Sequence, residues 1–180
     1  MPPASDPTAP SSGLPAAIGP STPQAIDSVA VALGRIPSGL YVVTWREGES
    51  DRAMLASWVI QAGFAPPAIS LAVAASRDLL AAIDRGASFV VTILGESQRS
   101  LLGRFGKPAA PGEDPFAGLE IVRSAGGAAG IGGSAGWLEC RAVSRAAAAD
   151  HVIIVAEVLS GDSGPATSPL VHLRKNGLRY

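Results

Sequence analysis

Cysteine and histidine are scarce in this sequence, which contains one cysteine and two histidines among 180 residues. The single cysteine, Cys140, cannot form an internal disulfide, so the fold does not depend on an oxidising compartment. We therefore expect a cytoplasmic protein. One cysteine and two histidines, His151 and His172, also provide too few ligands for a structural zinc site, and we expect no bound metal.

An excess of either charge is also lacking, because 14 Lys and Arg residues stand against 15 Asp and Glu residues and give a net charge of −1. Nucleic acids and anionic membranes are bound by basic faces, so we expect neither as a partner. No apolar run approaches the roughly 20 residues of a membrane span. The amino terminus also lacks the basic segment and apolar core of a signal peptide.

The first 24 residues differ in composition from the rest. They contain no Lys or Arg and consist mostly of Pro, Ala, Ser, Thr and Gly. Such a segment buries too little apolar area to offset the entropy lost on ordering it. We interpret residues 1–24 as a disordered tail or the end of a linker, and residues 25–180 as one domain.

Short runs of β-branched and aromatic residues, separated by turn signals, dominate the remaining chain. Strands are predicted over residues 40–45, 54–63, 68–74, 88–94, 119–124, 136–147, 150–160 and 169–176. Short helices are predicted over 25–36, ending at Gly34, over 76–86, with Ser76 as N-cap, and over 96–106. Residues 107–118 and the glycine-rich run 124–136 are predicted loops. The sequence therefore predicts a mostly β, antiparallel protein with short helices, and the many turn signals favour a closed barrel.

The residues that usually perform catalysis do not form a recognisable set. There is no G-x-S-x-G motif, and Cys140 lies in the middle of a predicted strand, where a buried and inert thiol is expected. The GGAAGIGG run (126–133) lacks the strand–turn–helix context of a phosphate-binding loop. A protein of this kind performs chemistry only if a cofactor supplies it.

One segment, MLASWVIQAGFAPP (54–67), is unusual for a core strand. It contains no ionisable residue, yet Ser57, Trp58 and Gln61 interrupt its apolar run, and Pro66 and Pro67 end it. Because the residue before a proline avoids the helical region, the exit from this strand is extended.

The segment resembles the flavin-binding strand of the flavin reductase-like family, the FMN-binding split barrels. The resemblance is closest to the flavin reductase-like domain at the carboxy end of cyanobacterial-type flavodiiron proteins, and it runs from about residue 28 to the last residue. The motifs that carry it are GRIPSGLYVVT (34–44), AMLASWVIQAGFAPP (53–67), LAVAASR (71–77), FGKPAAPGEDPFAGL (105–119), WLECR (137–141), DHVIIVAEV (150–158) and VHLRKNGLRY (171–180).

The resemblance implies a flavin site along this strand. Met54 and Leu55 belong to the cofactor-binding strand, Ala56, Ser57 and Trp58 line the isoalloxazine ring, and Gln61, Ala62 and Gly63 lie towards the ribityl chain. Ser76 and Arg77 fall where the family binds the phosphate, and a hydroxyl with a guanidinium at a helix start suits an anion. The alternative is that Ser76 only caps a helix, that Arg77 is a solvated surface residue and that Trp58 is core.

His151 occupies the place of a histidine that the family holds near the flavin and nicotinamide, and the resemblance implies a role as orienter or binder. Ala149 stands where the family has glycine. The tail contributes His172, Arg174, Lys175 and Arg179, in the region where family members complete the site across a dimer.

The activity implied is NAD(P)H:flavin oxidoreduction, in which hydride passes from NADH or NADPH to bound FMN. Electrons then pass to a diiron flavoprotein, an oxygenase, ferric iron or oxygen. A homodimer is expected, because the strands at 90–94 and 151–158 carry almost no charge and would leave an unguarded edge. Two alternatives are a non-catalytic FMN-binding electron-transfer module and an oxidase of the pyridoxamine phosphate type. Basic residues sufficient for the latter are not visible.

Overall fold

A computed structural model of the protein describes residues 23–110, 113–165 and 168–178. Most of the predicted tail, residues 1–22, lies outside the described residues. The last two residues assigned to the tail, Pro23 and Gln24, already belong to the first helix, so ordered structure begins slightly earlier than predicted.

The chain forms three α-helices and eleven strands in its described part. The helices are α1 (Pro23–Gly34), α2 (Asp78–Asp84) and α3 (Leu101–Phe105), with a 3₁₀ turn at Glu96–Gln98. The strands are β1 (Ser38–Gly39), β2 (Tyr41–Glu47), β3 (Ser50–Ala56), β4 (Val59–Phe64), β5 (Pro67–Ala74), β6 (Phe89–Ile93), β7 (Ile121–Arg123), β8 (Ala129–Ile131), β9 (Gly136–Ala148), β10 (His151–Ser163) and β11 (Val171–His172).

Seven of these strands form one antiparallel sheet in the order β3-β2-β6-β9-β10-β5-β4. The mostly β, antiparallel fold and its split barrel are thereby confirmed. The closed barrel was wrong, because within the described residues β3 and β4 remain at opposite edges and do not pair. Met54 on β3 and Val59 on β4 nevertheless pack against the same core cluster, so the sheet curls until its two edges face one another.

The segment predicted as one strand, 54–63, is two strands. β3 pairs with β2, β4 pairs with β5, and the chain crosses from one sheet edge to the other at Ser57 and Trp58. The break was not predicted from the sequence, because the apolar run continues through it and both strands bury part of their side chains. The interruptions at Ser57 and Trp58 are therefore the crossing between the two edges of the split barrel.

Three further predictions need correction. Ser76 is not the N-cap of α2: that position is Arg77, which makes no side-chain capping hydrogen bond. The helix predicted over 96–106 is divided into the 3₁₀ turn and α3. The loop predicted over 124–136 contains β8, whose residues are buried, because small side chains let this strand pack closely on the sheet.

Two apolar clusters lie on opposite faces of β2. Val43 belongs to the cluster inside the curled sheet, together with Leu71, Phe89 and Ile154. Val42, its neighbour in sequence, belongs to the second cluster, which is formed with α3, β8 and Leu170. Successive side chains of a strand point to opposite faces, so β2 is apolar without alternation because both of its faces are buried.

One carboxylate, Glu139 on β9, is buried and only 2% exposed. It accepts hydrogen bonds from the hydroxyls of Ser88, Ser124 and Ser160, at 3.2, 3.0 and 3.1 Å, and from the backbone N–H of Gly126 at 2.7 Å. Burial disfavours the charged form, but these donors outweigh it and hold the pKa of Glu139 below its usual value. Two of the four bonds, those from Ser124 and Gly126, attach the loop after β7 to the main sheet.

No helix in the described part of the chain is both long enough and apolar enough to cross a membrane.

Candidate functional site

A cleft of about 660 Å³ lies at the crossing between β3 and β4. The wall formed by the crossing consists of Met54, Leu55, Ala56, Ser57 and Trp58, and β5 contributes Ala72 and Ala74. The remaining lining residues are Leu40, Arg77, Phe105, Gly106, His172, Leu173, Arg174, Lys175 and Asn176. This volume falls within the range of roughly 300–1,000 Å³ that is usual for small-molecule sites.

The charges around this cleft have one sign. Arg77, Arg174 and Lys175 line it, and no Asp or Glu is found among the described residues of its wall. The chain as a whole carries a net charge of −1, so three cations facing one apolar cleft are a local concentration of positive charge. Such a cleft suits a flat, largely apolar and anionic ligand.

Arg174 is held firmly at the crossing. Its Nη2 donates a hydrogen bond to Ser57 Oγ at 2.6 Å, and its guanidinium lies 4.7 Å from the centroid of the Trp58 ring. Trp58 is 39% exposed, so it borders the cleft and is not a buried core residue. The stacked guanidinium closes one end of the cleft.

The segment that carries Arg174 is attached to α1, and we call residues 171–178 the C-terminal strap. The backbone N–H of Arg174 donates to the carbonyl of Gly34 at 2.9 Å, and that of Gly177 donates to the carbonyl of Ala30 at 2.7 Å. A Cβ at position 34 would lie 2.5 Å from the Arg174 carbonyl oxygen. Glycine at this position therefore allows the strap to lie against the helix.

His151, at the start of β10, is only 7% exposed and does not itself line the cleft. Its ring lies 4.8 Å from the Trp58 ring, tilted by 50°, and its Nδ1 is 2.8 Å from Asp150 Oδ1. The hydrogen bond to His151 lowers the pKa of the Asp150 carboxyl from its usual value. His151 therefore packs against Trp58, and its role as an orienter or binder stays a prediction.

The hairpin before His151 has an unusual backbone. Ala149 adopts a φ of 52°, and it is the sole described non-glycine residue with positive φ. His151 pairs with Ala148, so Ala149 and Asp150 form a two-residue connection of the type that prefers glycine at its first position. Ala149, which stands where the family has glycine, therefore has a left-handed backbone conformation that is unfavourable for a residue with a Cβ.

The structure brings six of the predicted cofactor-binding residues to one cleft: Met54, Leu55, Ala56, Ser57, Trp58 and Arg77. Ser76 does not line the cleft, and Gln61, Ala62 and Gly63 lie on β4, beyond the crossing. The roles of all ten residues in cofactor binding stay predictions. Arg179 of the tail lies outside the described residues.

Three residues of the strap, His172, Arg174 and Lys175, line the cleft of their own chain. The expectation that this segment lies beside the cofactor of a second chain stays a prediction. The sequence reasoning also missed Leu40, Phe105 and Gly106, because they reach the cleft from separate elements. The motif FGKPAA (105–110) was a signal, since its first two residues line the wall.

A second cleft, of about 800 Å³, adjoins the first and shares Met54, Arg77 and Phe105 with it. Its other walls are the β2–β3 hairpin and the loop after α3, and its charges are mixed, with Asp51 and Asp78 facing Arg52 and Lys107. Arg77 therefore lies where the two clefts meet.

The thiol of Cys140 is fully buried, in the interior cluster. Burial, with the nearby Glu139 charge, raises its pKa to about 12. It is therefore an inert thiol, as the sequence predicted.

Comparison with known proteins decides the family. Residues 33–177 match the model of the flavin reductase like domain. The chain belongs to the flavin reductase-like family. The match covers every element that forms the cleft.

Relatives of this flavin reductase-like domain include diflavin flavoprotein A 1 of Synechocystis sp., which is 39% identical over 151 residues, 83% of this chain and 26% of the relative. The putative diflavin flavoprotein A 3 of Nostoc sp. is 38% identical over 151 residues, with the same coverage. The chain thus spans about a quarter of the length of the curated relatives it matches.

Solved structures share the fold. An NADH:FAD oxidoreductase of Streptomyces globisporus superimposes with a TM-score of 0.75 at 24% identity, covering 87% of this chain and 94% of that one. BorF, the flavin reductase component of a bacterial two-component tryptophan halogenase, gives a TM-score of 0.71 at 26% identity over 81% and 91% of the two chains.

The residues present fit a flavin. The β3 wall offers small and apolar groups to a flat ring, and Arg77 offers a guanidinium to a phosphate at the junction of the two clefts. The absence of carboxylates from the described lining removes the main source of repulsion for an anion.

Proposed function

We propose that this domain is an NAD(P)H:flavin oxidoreductase that binds FMN in the cleft at the β3–β4 crossing. The observation that carries the proposal is the cleft itself, which combines an apolar strand with three cations in a chain of the flavin reductase-like family. When bound, FMN accepts two electrons and a proton as hydride from NAD(P)H, which leaves NAD(P)⁺ and the reduced flavin as an anion.

The protein's own residues bind and orient. Arg77 holds the phosphate at the junction of the clefts, and Ala56, Ser57 and Trp58 lie along the ring. His151 contacts Trp58 at a ring distance of 4.8 Å and so helps to hold Trp58 in its position beside the cleft. Alignment of the reacting atoms at roughly 3–3.5 Å is the main contribution of such a site to rate.

The electron acceptor is proposed from the relatives, which are named diflavin flavoproteins and are about four times as long as the matched segment. We propose that electrons pass to a diiron flavoprotein, either fused to this domain or separate, with an oxygenase, ferric iron or oxygen as alternatives. The choice of NADH or NADPH, and the cytoplasmic location, stay predictions.

We also propose a homodimer, but through a different surface from the one expected. The strands at 90–94 and 151–158 are internal to the sheet and form no edge. Ile60 on β4 pairs with Ser70 of β5, and Ile153 on β10 pairs with Ala72 of the same strand. Ser70 and Ala72 are two positions apart in β5 and therefore lie on one face of the sheet. Ile60 and Ile153 lie on that face too, and both point outwards. They are 70% and 41% exposed, and a second copy would cover this apolar face.

Two measurements test the proposed function. Titration of the protein with FMN should give saturable binding, seen as a change in flavin fluorescence. Stopped-flow mixing of the FMN-loaded protein with NADH or NADPH should bleach the flavin absorbance in a single turnover. Binding without bleaching by either nucleotide would leave the non-catalytic electron-transfer module, and no flavin binding would refute both functions.

A further inference from the structure

The position of Arg174 separates the cations of the cleft into two groups. Arg77 is found at the junction with the second cleft, where Met54 is also shared. Arg174 instead donates to Ser57 and stacks on Trp58, two of the residues that the proposed function places along the ring. The proposed function therefore assigns the two cations to different parts of the ligand, Arg77 to the phosphate and Arg174 to the ring.

The two parts of the proposed ligand respond differently to reduction. The phosphate of FMN carries the same charge before and after the reaction, whereas hydride transfer adds one negative charge to the ring. A cation at the phosphate therefore stabilises both redox states equally. A cation at the ring stabilises the reduced state more than the oxidised state.

We propose that Arg174 is the residue that stabilises the negative charge gained by the flavin ring on reduction, and that it thereby raises the midpoint potential of the bound flavin. This inference rests on the proposed function, since it assumes FMN in the cleft with its phosphate at Arg77. Under that assignment Arg174, through its contacts with Ser57 and Trp58, belongs to the ring end of the site.

The surroundings of Arg174 suit this role. A guanidinium is charged at every physiological pH, and this one is fixed by its bond to Ser57 and its stack on Trp58. The strap that carries it is bonded to Gly34 and Ala30 of α1, so the charge is in place before reduction and needs no reorganisation.

A purely structural role for Arg174, as a clamp between the strap and the crossing, predicts a different pattern of variants. Arg174→Gln keeps a planar polar group and removes the charge, but its side chain ends two bonds short of the Nη2 that donates to Ser57. Arg174→Lys keeps the charge and loses the planar fork. Arg77→Gln is the matched control, because it removes one positive charge from the other end of the same cleft.

The test is the midpoint potential of bound FMN, measured by equilibration with a reference dye, together with the dissociation constants of oxidised and reduced FMN. Arg174→Gln should weaken binding of reduced FMN about tenfold more than that of oxidised FMN, a fall of about 30 mV for a two-electron couple. Arg174→Lys should stay near the parent potential. Arg77→Gln should weaken both states alike and leave the potential unchanged.

Three results would overturn the assignment. An unchanged potential in Arg174→Gln would remove the electrostatic role. An equal fall in Arg174→Gln and Arg174→Lys would show that the fork geometry acts, and not the charge. A larger fall in Arg77→Gln would place the ring at the other end of the cleft. Failure of the parent protein to bind FMN would instead refute the proposed function, and this inference with it.

Discussion

The backbone N–H of Gly126 and the carboxylate of Glu139 form a buried hydrogen bond of 2.7 Å that attaches the glycine-rich loop to the central sheet. A Cβ at position 126 would displace Ser88 Oγ and Glu139 Oε1 from their present positions, so glycine preserves this approach. Part of the run that looked like a flexible loop is therefore held by a charged hydrogen-bond acceptor.

Replacing Glu139 by Gln should destabilise the fold by about 1–3 kcal/mol, because the neutral amide leaves some of the four donors without their charged partner. The pKa of Glu139 is lowered in the folded state, so the stabilisation is complete above its usual value of 4.5 and is lost as the pH falls through the lowered folded value. Urea unfolding at pH 7 and at several acidic values measures this. A difference between parent and variant that does not shrink on acidification would contradict the assignment.

Replacing Ala149 by Gly should stabilise the protein slightly. The left-handed backbone at φ 52° is unfavourable for alanine by about 1–2 kcal/mol, whereas glycine loses only about 0.5–1 kcal/mol more conformational entropy. Ala147→Gly, in the adjoining extended strand, is the matched control and should destabilise by that latter amount. Urea unfolding midpoints of both variants measure these changes in stability. Equal losses of stability in the two variants would show that the turn at Ala149 is unstrained.

Replacing Arg77 by Ala should weaken FMN binding by about 1.5–3 kcal/mol, because charge-assisted hydrogen bonds to the phosphate are lost. Riboflavin, which has no phosphate, should bind the parent more weakly than FMN does and should be nearly insensitive to the substitution. Arg35→Ala, at an exposed position after α1, controls for the loss of one positive charge. Calorimetric titration gives all six affinities, and equal affinity of the parent for FMN and riboflavin would remove the phosphate assignment.

The double substitution Ile60→Glu and Ile153→Glu should convert the proposed dimer into a monomer. Two carboxylates on the same face would have to be desolvated in each copy, and like charges would meet across the two-fold axis. Light scattering at micromolar concentration should give twice the chain mass for the parent and the single chain mass for the variant. The same exchange at Val29 and Ile36, on the exposed side of the first helix and the turn after it, is the control and should leave the mass unchanged. A parent that is already monomeric would refute the dimer.

The strands were largely predictable because each is a short apolar run between turn residues, as for β2, β6 and β10. The pairing order was not, since the crossing at Ser57 and Trp58 breaks a run that looks continuous in composition. β8 was missed because its alanine and glycine residues carry no β-branched signal, and its burial depends on partners far along the chain, such as Thr92, whose hydroxyl oxygen accepts a hydrogen bond from the backbone N–H of Ile131.

The residues of the candidate site were also predictable only in part. The residues contributed by one continuous segment, from Met54 to Trp58, were found from the sequence because they share one strand and its exit. Arg174 could be noted as a cation of the tail, but its contact with Ser57 joins positions 117 residues apart, and local patterns carry no information about such distances. The role of Arg77 was inferred through a helix cap at Ser76 that the backbone does not form.

The crossing between the two sheet edges also fixes when the cofactor site can exist. β3 and β4 follow one another in the chain, yet the other strands of the sheet separate them, including β9 and β10, which end at Ser163. Arg174 comes later still, so the cleft has both of its walls only when the whole segment from β3 to Arg174 has folded. Sequence-distant contacts of this kind form late and slowly in folding. The proposed flavin site therefore requires the assembled sheet together with the strap, and no single hairpin of the fold can form it.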